Sequence, residues 1–305
     1  MKHSGRWTRR EALKTAVAAS LLPVPAWAGE NAMIKRRIPS SDETLPVIGL
    51  GTYSVFDVAS TPDELAPREE IVDLLIEKSG SLIDSSPMYG RSEKVVGDIV
   101  SKANRRDKLF LATKVWTDGK ASGERQMRES ADLMHAGVID LMQVHNLRDV
   151  DTQMQTIRAW QQEGKIRYSG LTEYRESAQD ELEAAMRRYK PQFIQINYSL
   201  GESAADDRLL PVAAELGVGV LVNRPFMAGR LFSAVRGTAL PDWAAPFADS
   251  WGQFFLKFIV SNPHVSCVIP ATTRPHHMQD NLGAGFGELP DPATRRKMID
   301  FVESL

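Results

Sequence analysis

Leu109-Phe110-Leu111-Ala112-Thr113, the body of a run that ends Lys114-Val115, shows no alternation of apolar and polar residues. A strand reads this way when both of its faces are buried, as in a parallel sheet. Similar short runs recur on either side, at Val47–Gly51, Leu82–Ser85, Ile139–His145, Arg167–Thr172, Phe193–Tyr198, Gly219–Asn223 and Ser266–Pro270. Helical patterns lie between them, at Pro67–Ser79, Ser92–Ser101, Gly123–His135, Thr152–Glu163, Ser177–Arg188, Leu209–Glu215, Asp249–Val260 and Pro275–Leu282. Eight alternations of strand then helix predict an α/β fold closed into a (β/α)8 TIM barrel, rather than an open sheet. Ile34 to Pro46 is expected to form an N-terminal β-hairpin plugging one face, Gly229 to Asp249 a loop over the other, and Asp291 to Leu305 a last outer helix.

The chain has 305 residues, 43% apolar and 25% charged, which is ordinary globular composition. A single barrel takes about 250 residues, so one domain over residues 29–305 accounts for the mature chain. The net charge of −2 gives no hint of a nucleic-acid partner. The single cysteine, Cys267, has no intramolecular partner and sits in an apolar strand, where a buried structural thiol is expected.

The first 28 residues read differently. Thr8-Arg9-Arg10-Glu11-Ala12-Leu13-Lys14 resembles the twin-arginine export motif, with Ala12 where that motif usually has Phe. A short apolar run, Thr15 to Leu22, and a small-x-small site at Ala26-Trp27-Ala28 complete a signal peptide cleaved after Ala28. The run is shorter than the roughly 20 apolar residues a membrane span needs, so stable membrane insertion is not expected. The resemblance implies the twin-arginine machinery as a partner and the periplasm as destination.

In such barrels the chemistry sits where strands end. Strand two ends Ile83-Asp84-Ser85-Ser86-Pro87-Met88-Tyr89-Gly90, strand three Ala112-Thr113-Lys114, and strand four Gln143-Val144-His145. These place an Asp, a Tyr, a Lys and a His at one mouth. A free phenol, with pKa about 10, releases its proton reluctantly near neutrality. A neighbouring ammonium is expected to lower that pKa, and Asp84 to keep the buried ammonium charged. His145 can donate to a substrate carbonyl oxygen, on which negative charge develops as the carbonyl is reduced.

On these residues the chain resembles the aldo-keto reductase family over nearly all of its mature length. Asp84-Ser-Ser-Pro-Met-Tyr89-Gly90 matches the family's Asp-Thr-Ala-x-x-Tyr-Gly, Lys114 and His145 match its lysine and histidine, and Ile48-Gly49-Leu50-Gly51-Thr52 matches its first strand. The resemblance implies reduction of aldehyde or ketone carbonyls, small-molecule substrates, by a nicotinamide cofactor. Tyr89 is then the general acid/base, Asp84 and Lys114 tune it, and His145 orients substrate.

It also implies the cofactor residues, in a family without the Gly-x-Gly-x-x-Gly fingerprint. Thr172-Glu173 stands where the family has Ser-Asn against the carboxamide, and Gln195 matches its glutamine there. Asn223-Arg224 stands where many members have a nicotinamide-stacking Tyr followed by Ser. Arg224 offers a guanidinium plane for stacking or for the pyrophosphate. Thr272, Arg274 and His277 at the start of the eighth helix suit a 2′-phosphate, which favours NADP(H) over NAD(H), and Asn281 would meet the adenine. Tyr53, Phe56 and Trp116 fall in loops that would line the substrate pocket. No metal site is read. Two other readings stay open: an exported barrel that binds nucleotide or a partner without efficient turnover, motivated by Glu173 and Asn223, and a barrel hydrolase, which would want paired carboxylates or a metal cluster at strand ends. Substrate, direction of reaction and oligomeric state are not legible.

Overall fold

A computed structural model describes residues 32–305, so the expected signal peptide and cleavage site lie outside the described residues. Eight parallel strands follow an antiparallel hairpin of β1 (Lys35–Arg37) and β2 (Thr44–Pro46). They are β3 (Leu50–Gly51), β4 (Leu82–Asp84), β5 (Phe110–Val115), β6 (Ile139–Val144), β7 (Ile166–Glu173), β8 (Phe193–Asn197), β9 (Gly219–Asn223) and β10 (Cys267–Val268), each paired in parallel with the next. The seam between first and last closes through the parallel bridge Ile48↔Val268, with Gly49 N donating to Val268 O at 2.9 Å and Gly51 N to Pro270 O at 3.0 Å. Glycine is required on this seam: a Cβ at Gly51 would lie 2.8 Å from Ile269 O, and one at Gly49 2.9 Å from Leu82 O.

Residues two apart in a strand share a face. Leu82, Phe110, Ala112, Leu141, Tyr168, Phe193, Leu221, Cys267 and Ile269 form one apolar cluster inside the barrel, and Ile38 and Leu45 of the hairpin join it from below. Tyr168 Oη donates to Glu43 Oε2 at 2.7 Å and lies 2.9 Å from Ser41 Oγ, whose hydroxyl can donate to it, fastening the hairpin to the barrel floor. The opposite faces, among them Ile83, Leu111, Met142, Leu171, Ile194 and Val220, pack in a second cluster against the helices. Continuing the interior parity upward from the apolar layers brings Asp84, Lys114, Gln143, Thr172, Gln195 and Asn223 to the rim. Sequence spacing thereby decides which polar residues meet.

The helices are α1 (Pro62–Glu77), α2 (Ser92–Val100), α3 (Lys120–Leu133), α4 (Val150–Gln162), α5 (Gln179–Tyr189), α6 (Leu209–Glu215), α7 (Arg230–Ala234), α8 (Trp251–Val260), α9 (Pro275–Gly283) and α10 (Pro292–Glu303). α1 starts five residues before the expected Pro67: Pro62 takes its first turn, where a proline costs no hydrogen bond, and Pro67 lies inside. The expected loop Gly229–Asp249 contains α7 and a single 3-10 turn, Asp242–Ala244. Among the described residues no helix is long and apolar enough to cross a membrane. A cleft of about 760 Å³, lined in part by Met33, Lys35, Glu77 and Phe286, lies beside the hairpin and contains none of the rim residues.

Candidate active site

The ammonium of Lys114 is fully buried and donates to Asp84 Oδ2 at 2.6 Å and to Ser85 O at 2.7 Å. Asp84 Oδ1 accepts from Gln143 Nε2 at 2.9 Å and Gln195 Nε2 at 2.8 Å. Both carboxylate oxygens are therefore satisfied in a dry site, the condition for a buried ion pair to persist. Burial pushes the Lys114 pKa down, but Asp84 and Tyr89 overcome this and hold it above the usual lysine value. Lys114 is thus a fixed positive charge, as its carboxylate neighbour led us to expect.

Tyr89 stands partly buried over this charge, with Lys114 Nζ 4.9 Å from its ring centre. Its ring meets Tyr53 edge-on at 5.0 Å and His145 at 5.9 Å. Lys114 lowers the Tyr89 pKa, as expected, but does not make the resting phenol acidic. Burial raises the Tyr89 pKa, Lys114 pulls it back, Asp84 pushes it up again, and the balance lies above 10. Tyr89 therefore holds its proton at neutral pH.

His145 is buried, with Nδ1 3.0 Å from Ser86 Oγ. Burial, then the Lys114 charge, drop its pKa to about 3, so the ring is neutral. Asp84, Lys114, Tyr89 and His145 thus share one mouth.

The residues expected to hold a cofactor divide into two groups. Thr172 accepts from Asn146 N at 3.0 Å and so keeps its own hydrogen to give. Gln195 joins Asp84 to Asn223, whose Nδ2 donates to Gln195 Oε1 at 3.3 Å. Asn223 Oδ1 is buried without a hydrogen-bond partner. Glu173 has the parity of Leu171, outside the barrel, and its carboxylate is gripped by Arg175 through Nε at 2.9 Å and Nη2 at 2.9 Å. Burial raises the Glu173 pKa, but Arg175 outweighs it, and the group stays ionised. Arg224, with φ of 50°, lies 5.5 Å over the Tyr174 ring, a left-handed conformation of the kind that collects at functional loops. Thr272 is buried and its Oγ1 accepts from Arg274 N at 3.1 Å; Arg274 and His277 are exposed at the opening of α9, and Asn281 is buried.

Of the expected pocket residues, Tyr53 is 63% exposed, and Trp116 is 37% exposed with the Arg148 guanidinium 4.7 Å over its ring. Phe56 is a correction: it is fully buried in the cluster between strands and helices and offers no surface to a substrate. Three contributors were missed. Gln143 was legible, two residues before His145 with the same parity; Ser86 and Arg175 show their roles only through partners distant in sequence or folded back.

The Aldo/keto reductase family model matches residues 47–296, the whole barrel from its first strand into α10. The chain belongs to the aldo/keto reductase family. Membership makes it an NAD(P)H-dependent oxidoreductase. It is 29% identical over 216 residues to the Bacillus subtilis oxidoreductase YqkF, a match spanning 65% of this chain and 67% of that protein. Aldo-keto reductase str7 of Strobilurus tenacellus is 26% identical over 300 residues, 84% of this chain and 87% of that one. Among solved structures, an aldo-keto reductase from Klebsiella pneumoniae in complex with NADPH superposes with a TM-score of 0.71 at 23% identity, covering 88% of this chain and 96% of that chain. Aldo-keto reductase AKR11C1 from Bacillus halodurans gives a TM-score of 0.70 at 21% identity, covering 88% and 96%.

Proposed function

We propose that the protein reduces aldehyde or ketone carbonyls to alcohols, with Tyr89 as proton donor and NADPH as its cofactor. One observation carries the reading: a fully buried, charged Lys114, held 2.6 Å from Asp84, lies against the Tyr89 ring at the barrel mouth. The residues present fit a nicotinamide group. Asn223 Oδ1 is a buried acceptor lacking an N–H, the Thr172 hydroxyl has a hydrogen to give, and both stand on the rim layer with Asp84 and Lys114. The bound cofactor supplies hydride to the carbonyl carbon.

The chain's own residues do the rest. Neutral His145 positions the carbonyl oxygen. As the C=O π electrons move onto that oxygen, the Tyr89 O–H bond breaks and its proton passes to it, giving the alcohol and a phenolate. Lys114, kept charged by Asp84, receives the phenolate, electrostatic stabilisation aimed at charge that develops only during reaction. Arg274 at the opening of α9 supports recognition of a 2′-phosphate and hence NADPH over NADH. Structures of similar fold from Klebsiella pneumoniae and Bombyx mori were solved in complex with NADP or NADPH, which is in keeping with this choice.

Tyr89→Phe tests the assignment. It should abolish carbonyl-dependent NADPH oxidation while leaving the NADPH Kd and thermal melting unchanged; substantial activity in this variant refutes it. We further propose export by the twin-arginine route with cleavage after Ala28. The described barrel elements begin at Lys35, so such cleavage leaves them whole. Replacing Arg9 and Arg10 by Lys should retain the chain in the cytoplasm, and its unaltered appearance in the periplasm would count against export by this route.

A further inference from the structure

We infer that Ser86 is a positioning residue that fixes the tautomer of His145, keeping the ring proton on Nε2, the nitrogen left to meet the substrate. The functional half of this inference rests on the reading in which His145 faces the carbonyl oxygen. In the family motif quoted above an alanine stands at this place, so the hydroxyl belongs to this chain's own version of the site.

The argument is one of hydrogen-bond satisfaction. Ser86 is fully buried and its Oγ lies 3.0 Å from His145 Nδ1. The same oxygen accepts from Met88 N at 3.4 Å. A hydroxyl has one hydrogen to give and two lone pairs with which to accept. If Nδ1 carried the ring proton, two N–H groups would aim at Oγ while the hydroxyl hydrogen, with no other acceptor on Ser86, would be stranded in a dry site. If Ser86 donates to Nδ1, every group is satisfied, which is the rule for buried polar atoms. The ring is neutral, since burial and Lys114 hold its pKa near 3, so exactly one nitrogen bears a proton. That nitrogen is Nε2. The tautomer matters because an Nε2–H donates to an oxygen gaining negative charge, whereas an Nε2 lone pair would repel it.

The motif neighbours support the geometry. Ser85 O and the backbone of Ser86 are fixed by Lys114 Nζ at 2.7 Å and by the turn in which Tyr89 N donates to Ser86 O at 3.0 Å. One short segment therefore carries the proton donor, the ion pair and the group that sets the histidine.

Two-bond proton–nitrogen NMR on the mature protein labelled with ¹⁵N-histidine reads the tautomer directly, with His145 assigned by its disappearance in His145→Gln. The expected wild-type pattern is Nε2–H alone. Ser86→Ala should give a mixture of tautomers and a kcat for aldehyde reduction about 5- to 10-fold lower, the loss of one hydrogen bond's worth of orientation, with the NADPH Kd unchanged. Ser86→Thr, which keeps the hydroxyl, should restore both. A wild-type Nδ1–H pattern overturns the tautomer assignment without any variant having to fold. A tautomer shift in Ser86→Ala with unaltered kcat overturns the positioning role. If instead His145→Gln reduces aldehyde at the wild-type rate, the placement of His145 against substrate fails, while the NMR pattern still decides the tautomer.

Discussion

Lys114→Met is the sharpest test of the ion pair on which the site is built. Asp84 is 2% exposed; the substitution leaves its Oδ2 without the 2.6 Å ammonium while Oδ1 keeps its two amides at 2.9 and 2.8 Å. Breaking a buried pair by removing one partner costs about 3–5 kcal/mol, because a buried charge is left uncompensated. The two retained amides place this case near the lower end, about 3 kcal/mol. For a barrel of this size that lowers Tm by roughly 6–12 °C. Asp84→Asn should cost a similar amount, with Lys114 left on Ser85 O alone. The double variant Asp84→Asn/Lys114→Met removes both charges and should fall within about 1 kcal/mol of wild type, giving a coupling of several kcal/mol. Equilibrium urea unfolding of all four proteins at pH 7 measures this. Activity should not follow stability: the double variant refolds the mouth but has no cation for the phenolate, and its aldehyde-dependent NADPH oxidation should stay at background. A Lys114→Met protein as stable as wild type, or an active double variant, refutes the reasoning.

Other consequences can be checked independently. Glu93 is buried behind Lys114 near Thr113, and burial raises its carboxyl to about 6 despite its hydroxyl partners and Lys114. A folded pKa above the unfolded value near 4.5 means that its contribution is full below about pH 4.5 and is lost as pH rises through 6, about 2 kcal/mol in all. Glu93→Gln should therefore raise Tm relative to wild type more at pH 8 than at pH 5, and an equal change at both pH values would contradict the burial argument. Asn223→Ala should weaken NADPH binding about 5- to 10-fold in calorimetry yet leave unchanged the affinity for the 3-acetylpyridine analogue, which lacks the amide NH2 that Asn223 Oδ1 would accept. Equal losses for both nucleotides would remove Asn223 from the carboxamide. Because the Tyr89 pKa is raised, the proposed donor remains protonated through neutrality, and carbonyl reduction should fall only beyond the ordinary tyrosine range; an alkaline limb centred well below that range would show that another group limits the rate.

Parity explains what could be read ahead of the structure. Leu82 to Asp84, Phe110 through Ala112 to Lys114, and Leu141 through Gln143 to His145 each climb the barrel interior in steps of two, so an apolar lower residue announces where its polar upper neighbour points. The closing seam was legible for a related reason, since Gly49 and Gly51 leave room that no Cβ could share. Phe56 was misplaced because loop residues follow no period, and nothing in Tyr53 to Asp57 separates the exposed ring of Tyr53 from the buried one of Phe56. The amide clasp on Asp84 escaped for another reason: Gln195 lies 111 residues away, and no local pattern reports which carboxylate an amide will choose.

On the proposed reading, the raised phenol changes what the lysine is for. An alkoxide is about as basic as hydroxide, so in the proposed reaction a phenol held above the ordinary tyrosine range still gives its proton to it downhill. An acidic resting phenol would be a handicap, because part of the enzyme would then wait in the phenolate form with no proton to deliver. Burial and Asp84 keep Tyr89 protonated until the substrate oxygen turns basic. Only after transfer does the site hold a second anion, and Lys114 is already in place, charged and desolvated, to meet it. The resting mouth thus contains one cation, one carboxylate, a neutral imidazole and a neutral phenol, and the phenolate of the proposed reaction is a charge it lacks at rest.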